Sequence, residues 1–116
     1  GTSLIDALSA VCEVWPGGLI DPDLRDPLRS DHPALLLSGD ADPITPPDYA
    51  EQVLSGFANA RHLVGPDQGH GLAGLGCVPR LMREFLDSLD PSSLDATCLE
   101  RVQPSPFFLD FNGPAP

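Results

Sequence analysis

Lysine is absent from this chain: all six basic side chains are arginine. Seventeen carboxylates stand against them, and the net charge is -11. A chain so acidic is repelled by polyanions, which argues against nucleic acid and anionic membrane as partners. The acidic residues are spread along the chain rather than gathered in a tail, the pattern of a solvated acidic surface. No apolar stretch approaches the roughly 20 residues that a spanning helix needs. No signal peptide is visible. Aromatic residues are few, with one Trp, one Tyr and five Phe. No internal repeat is present.

Cysteine is also sparse. Cys12, Cys77 and Cys98 are widely spaced, and no CxxC pair occurs, which excludes a zinc ribbon or a thioredoxin-type motif. In an oxidising compartment two of the three could pair. In a reducing one all three would serve as small buried hydrophobes. Composition leaves both open. Gly1 rather than Met opens the chain, as expected of a processing product, a tag scar or a boundary within a longer protein.

At 116 residues the chain amounts to one domain at most. It can bury roughly 60–70% of the surface its unfolded form exposes. Leu4, Ile5, Leu8, Val11 and Cys12 share one helical face and predict a helix near 3–15, stopped by Pro16-Gly17-Gly18. Residues 16–33 read as a loop draped over a larger body. Ala34-Leu35-Leu36-Leu37, bounded by Pro33 and Gly39, suits a strand near 34–38 buried on both faces.

A helix near 46–57 follows, with Thr45 as candidate N-cap, Pro46 at the first helical position and Asp48 in the first turn. Tyr49, Ala50, Val53, Leu54 and Phe57 form its apolar face. A second short strand is predicted near 60–64, then a glycine-rich turn from Gly69 to Gly76. The next helix spans 79–89, with Leu81, Met82, Phe85, Leu86 and Leu89 facing inward. One more short helix is expected within 91–102. From Gln103 the chain is rich in Pro and Phe and reads as an extended tail.

Strand, helix and strand with a short crossover imply a parallel pair. Two parallel strands make an incomplete sheet, because such sheets are covered on both faces and have several neighbours. The fold class is therefore α/β, as one partial domain. Residues 1–33 form a helix-and-loop lead-in, 34–102 the core and 103–116 the Pro-rich tail.

Two motifs fall on the loops that follow the strands: Gly39-Asp40-Ala41-Asp42-Pro43-Ile44-Thr45-Pro46 and Gln68-Gly69-His70-Gly71. In open α/β sheets functional groups gather at the carboxyl ends of strands. Neighbouring parallel strands bring their following loops together, so a carboxylate and an imidazole can meet there. A serine hydroxyl is a poor nucleophile until a base takes its proton. Imidazole can be that base, and works best when a buried carboxylate holds its other N–H. Asp42 and His70 are the candidates. Asp40 competes for the acid role; on spacing alone it is a turn residue. His62, inside a strand, reads as structural, and His32 as a surface residue. A metal site from His62, Asp67, His70 and Cys77 matches no zinc spacing. No cofactor is implied.

The run Leu35 to Pro47, the segment Asn59-Ala60-Arg61-His62-Leu63-Val64 and the turn Gly69-His70-Gly71 together resemble the C-terminal region of tripeptidyl-aminopeptidase-like α/β-hydrolases, relatives of the proline iminopeptidases. The resemblance implies that Asp42 is the acid of a Ser–His–Asp triad and His70 its base. It places the nucleophile far upstream, on a Gly-x-Ser-x-Gly elbow. No serine here sits in that motif. The implied parent is a serine peptidase or esterase for small peptide or ester substrates, working through an acyl-enzyme. This chain alone is expected to be inactive. The missing N-terminal hydrolase portion is the implied partner, and the fragment can also self-associate. The alternative is a hydrolase-derived association module without catalysis. Exported relatives further imply a disulfide between Cys77 and Cys98, a closure contributing about 3 kcal/mol in the chain-entropy model.

Overall fold

The computed structural model describes residues 1–104, 106 and 111. Helix α1 (Ser3–Val14) is followed by strand β1 (Ala34–Gly39), helix α2 (Pro47–Leu54), strand β2 (Ala60–Gly65) and helix α3 (Val78–Ser88). Two 3-10 turns, Pro91–Ser93 and Thr97–Arg101, close the described core. They replace the single short helix expected within 91–102. Most of the Pro-rich tail expected from Gln103, including Phe107 and Phe108, lies outside the described residues.

The strands pair in parallel, from Ala34 against Ala60 to Gly39 against Gly65. Side chains alternate between the faces of a strand, so this register sorts them into two layers. Leu35 and Leu37 of β1 share a face with Arg61 and Leu63 of β2. There they meet Leu72, Val78, Leu81, Leu94 and Leu99, which together with Leu63 form the buried cluster. Arg61 reaches out of the same face and donates to the carbonyl of Leu94 at 2.5 Å. The guanidinium thereby ties the second strand to the turn beyond α3.

The other face carries α2. His62 points there, its side chain only 3% exposed, and its Nδ1 lies 2.5 Å from Glu51 Oε1. Nε2 of the same ring is buried without a partner among the described residues. This is the structural histidine that its position in a strand suggested.

Further details depart from the sequence expectation. β1 is half-buried along Ala34 to Leu37 and buried only at Ser38 and Gly39. Packed layers cover the faces of a strand and neighbouring strands cover its edges; among the described residues β1 has one strand neighbour, β2, and its other edge is uncovered. On α3, Leu86 and Leu89 are 67% and 56% exposed rather than inward. The helix turns Leu81 into the core and Met82 and Phe85 beside it, which leaves Leu86 on the outer side. Leu89 lies past the helix end, in a left-handed C-cap conformation with φ 53°. Finally, α2 is shorter than 46–57. Gly56 ends it where the Leu28 carbonyl sits at the place a Cβ would occupy. The lead-in chain docks there through Ser30, whose amide donates to Gly56 and whose carbonyl accepts from Ala58.

α1 buries no residue. Its apolar side chains Leu4, Ile5, Leu8 and Val11 are all more than half exposed. The expected helix forms, and its apolar face has no covering surface among the described residues. Cys77 and Cys98 form a disulfide across a separation of 21 residues, while Cys12 is free and exposed. The link joins the start of α3 to the second 3-10 turn. No helix among the described residues is long and apolar enough to cross a membrane.

Leu81 is fully buried at the centre of the cluster. Truncating it removes apolar contacts and leaves a cavity that the surrounding chain fills only in part. Leu81→Ala is expected to destabilise the protein by about 2–5 kcal/mol, read as the change in urea unfolding free energy.

Candidate active site

The two loops beyond the strands are fastened to each other by backbone hydrogen bonds. The amide of Asp40 donates to the Gly65 carbonyl at 3.1 Å, and that of Ala41 to the Gln68 carbonyl at 3.0 Å. Gly39 makes this approach possible. A Cβ at that position would lie 2.1 Å from the Gln68 carbonyl oxygen and 2.4 Å from that of Gly69. Within the second loop, Gly71 adopts φ 96°, a conformation open to glycine.

Across this junction Asp42 Oδ2 and His70 Nδ1 stand 2.9 Å apart. The Asp42 side chain is 3% exposed and that of His70 59% exposed. The acid is thus enclosed, and the imidazole reaches solvent. Asp40, the competing carboxylate, is exposed. His32 is exposed as well, and His62 bonds Glu51 rather than either member of the pair.

Asp42 accepts four hydrogen bonds. Its Oδ1 takes the amides of Ile44 at 2.8 Å and Thr45 at 3.1 Å. Its Oδ2 takes the Thr45 hydroxyl at 2.9 Å and the His70 ring. Burial by itself raises a carboxyl pKa, and it is the largest single influence here. The donors, His70 first and then the two amides and the hydroxyl, together outweigh it and hold Asp42 well below the usual carboxylate range. An ionised carboxylate is acceptor-only, so the proton between the two groups belongs to His70 Nδ1. The imidazole then presents the Nε2 lone pair away from the carboxylate, free to take a proton from a hydroxyl.

Thr45 was the residue that sequence reasoning placed differently. As a candidate N-cap it was expected to bond α2. Instead α2 begins at Pro47, has Pro46 at its N-cap position and receives no side-chain cap. With the helix starting at Pro47, Thr45 lies one residue before the N-cap position, and its hydroxyl donates to Asp42 Oδ2 instead. The Asp-x-x-Thr spacing, which lets a carboxylate accept the amide three residues on, was the available signal.

An open cleft of about 570 Å³ lies elsewhere, between the lead-in loop at Arg25 and Arg29 and the end of α2 at Gln52 and Val53. None of Asp42, Thr45 and His70 lines it. Among the described residues no cluster of three or more His, Cys, Asp or Glu is arranged to hold a metal ion.

A family model described as TAP-like protein matches residues 1–98. The chain belongs to this TAP-like family of α/β-hydrolases. The match takes in α1, both strands and both loops of the Asp42–His70 junction, and it makes the function of this TAP-like chain hydrolase-related. No curated protein and no solved structure matches it.

Three hydrogen-bonded carboxyls, one of them at the junction, set the acid stability. Asp42, Asp90 and Asp95 all hold their protons less tightly than the ordinary carboxyl value of 3.8. For Asp90 the main cause is the Ser92 hydroxyl, and for Asp95 the Thr97 hydroxyl. A carboxyl whose folded pKa lies below its unfolded value contributes stability that is fully present above the unfolded value. That contribution is lost as pH falls through the folded one. From these three groups the melting temperature is expected to lose nothing above about pH 5 and to fall steadily below about pH 4. Calorimetry from pH 7 to pH 2 measures this, and a rise in melting temperature below pH 4 contradicts it.

Proposed function

We propose that this chain carries the acid and base of a serine hydrolase, with Asp42 orienting His70 and His70 acting as general base and then general acid. The observation that carries the reading is the 2.9 Å contact between a buried, multiply bonded carboxylate and an imidazole whose far edge is open. In this scheme a serine outside residues 1–116 attacks an acyl carbon. His70 Nε2 takes the hydroxyl proton, and the resulting imidazolium is stabilised by Asp42. The same proton then passes to the leaving group, an amine or an alcohol. Water, deprotonated by His70, clears the acyl-enzyme. No cofactor is needed for these steps. The substrate class is a small peptide or ester.

The nucleophile's portion of the hydrolase is the proposed partner of this chain. Two features support this: no serine here lies on a Gly-x-Ser-x-Gly elbow, and the apolar side of α1 is exposed. Export is part of the proposal, supported by the disulfide between Cys77 and Cys98, since such bonds persist in oxidising compartments. A second reading, an association module without catalysis, draws on the same exposed helix and on the edges of the two-stranded sheet, which no strand among the described residues covers.

The two readings separate in one experiment on the full-length gene product. A fluorophosphonate probe reacts with a serine only when a neighbouring base activates it. We expect one labelled serine, mapped outside residues 1–116, and labelling slowed at least about a thousandfold by His70→Ala. Absence of labelling, or labelling indifferent to His70, leaves the association module as the surviving reading.

A further inference from the structure

The Thr45 hydroxyl stands between the two groups of the pair. It lies 2.9 Å from Asp42 Oδ2 and 3.2 Å from His70 Nδ1. With the 2.9 Å contact between Oδ2 and Nδ1, the three atoms close a triangle. A threonine hydroxyl has one proton and two lone pairs. The carboxylate has no proton to give, so the hydroxyl's proton goes to Oδ2. What it turns toward the imidazole is therefore a lone pair.

We infer that Thr45 is a positioning residue that fixes the orientation of the His70 ring, with Asp42 Oδ2 and Thr45 Oγ1 as the two acceptors that hold the Nδ1 proton. A neutral Nδ1 without its proton would set a third lone pair against two oxygens. With the proton in place it finds an acceptor in both. The tautomer follows, and Nε2 is left with the lone pair that the base function requires. The same two acceptors lock the ring. His70 is more than half exposed, and both side-chain contacts recorded for its ring are made at Nδ1. One oxygen acts as a pivot for a planar ring; two restrict its rotation.

Local backbone structure serves the same end. The Thr45 amide donates to Asp42 Oδ1. A single residue therefore bonds both carboxylate oxygens, the amide holding one and the hydroxyl the other. That pair sets the carboxylate plane without any contribution from His70.

This inference rests on the proposed catalytic role for its kinetic readout, but not for its spectroscopic one. Thr45→Val keeps the shape and the amide donor and removes the hydroxyl; Thr45→Ser keeps the hydroxyl. In the full-length protein, Thr45→Val is expected to lower kcat about 10- to 100-fold with KM within about threefold, and Thr45→Ser to recover most of it. Ring 15N spectra of His70 are expected to show Nδ1 as the protonated nitrogen in all three proteins, because Asp42 accepts that proton in each. The Nδ1–H signal is expected to be sharp in the wild type and in Thr45→Ser, and broadened by ring motion and solvent exchange in Thr45→Val. A Thr45→Val protein with the wild-type Nδ1–H line overturns the lock, whatever its kcat. So does a Thr45→Ser protein as impaired as Thr45→Val. If the wild type shows no His70-dependent turnover, the proposed hydrolase reading fails, and the 15N spectra alone decide the lock.

Discussion

Asp42→Asn is expected to lower kcat by about 10⁴-fold while leaving the protein folded. The asparagine carbonyl can replace Oδ1 and still accept the amides of Ile44 and Thr45. The loop geometry is then kept. What changes is the other half of the side chain. Where Oδ2 accepted from Thr45 and His70, an NH₂ group now donates. His70 Nδ1 can meet that donor only as an acceptor, so the imidazole proton moves to Nε2. The ring then presents an N–H where a base is needed. The imidazolium formed during attack also loses its counter-charge. KM is expected to change little, because neither effect touches the bound substrate directly. The measurement is steady-state kinetics of the full-length protein with ester and peptide anilide substrates, beside a circular dichroism melt. A loss under tenfold in a folded variant removes Asp42 from the acid role.

The α/β class was legible in the sequence because punctuation and length agree. Ala34–Leu37 is too short for a helix and lies between Pro33 and Gly39, and it forms β1 as expected. Placement of the two loops followed from topology, since parallel neighbours carry their following loops to one end. That is why an acid of the first loop could be paired with His70 on the second, while the choice of Asp42 over Asp40 came from the family resemblance. The misplacement of Thr45 has a physical cause. Residue type favoured a helix cap, but α2 starts one residue later than expected, which leaves Thr45 outside the cap position, and both its amide and its hydroxyl donate to the carboxylate three residues back. The outward turn of Leu86 and Leu89 has another. Periodicity assigns an apolar stripe to a face, yet only the neighbours decide how wide that face is. Here Leu81, Met82 and Phe85 fill the contact with the cluster. The exposed stripe on α1 is the same lesson at larger scale. Its helix is encoded locally, whereas its covering surface is not encoded in the helix.

Gly39→Ala is expected to lower kcat nearly as far as loss of the acid, through contact geometry alone, although position 39 carries no chemistry. The added Cβ would meet the Gln68 carbonyl oxygen at 2.1 Å and the Gly69 carbonyl oxygen at 2.4 Å. Relief requires backbone movement of more than an ångström, because both atoms belong to the main chain rather than to flexible side-chain ends. Gly69 is the residue before His70, and Asp42 follows Gly39 by three. Any displacement that admits the methyl group therefore separates the acid loop from the base loop. It also strains the bond from the Ala41 amide to the Gln68 carbonyl. The contact between Asp42 and His70 is 2.9 Å, and a hydrogen bond fails when its atoms part by little more than half an ångström. We expect kcat to fall by about 10³- to 10⁴-fold, close to the effect of removing the acid, with a destabilisation of about 1–3 kcal/mol from overpacking. Gly74→Ala provides the control, since no atom stands within 4 Å of its added Cβ and its backbone needs no glycine. Its expected effect on kcat is less than about twofold, because a methyl group in open space moves neither loop. Equal activity of the two variants would mean that the loops can part without cost, and that the close approach at Gly39 does not hold the pair together.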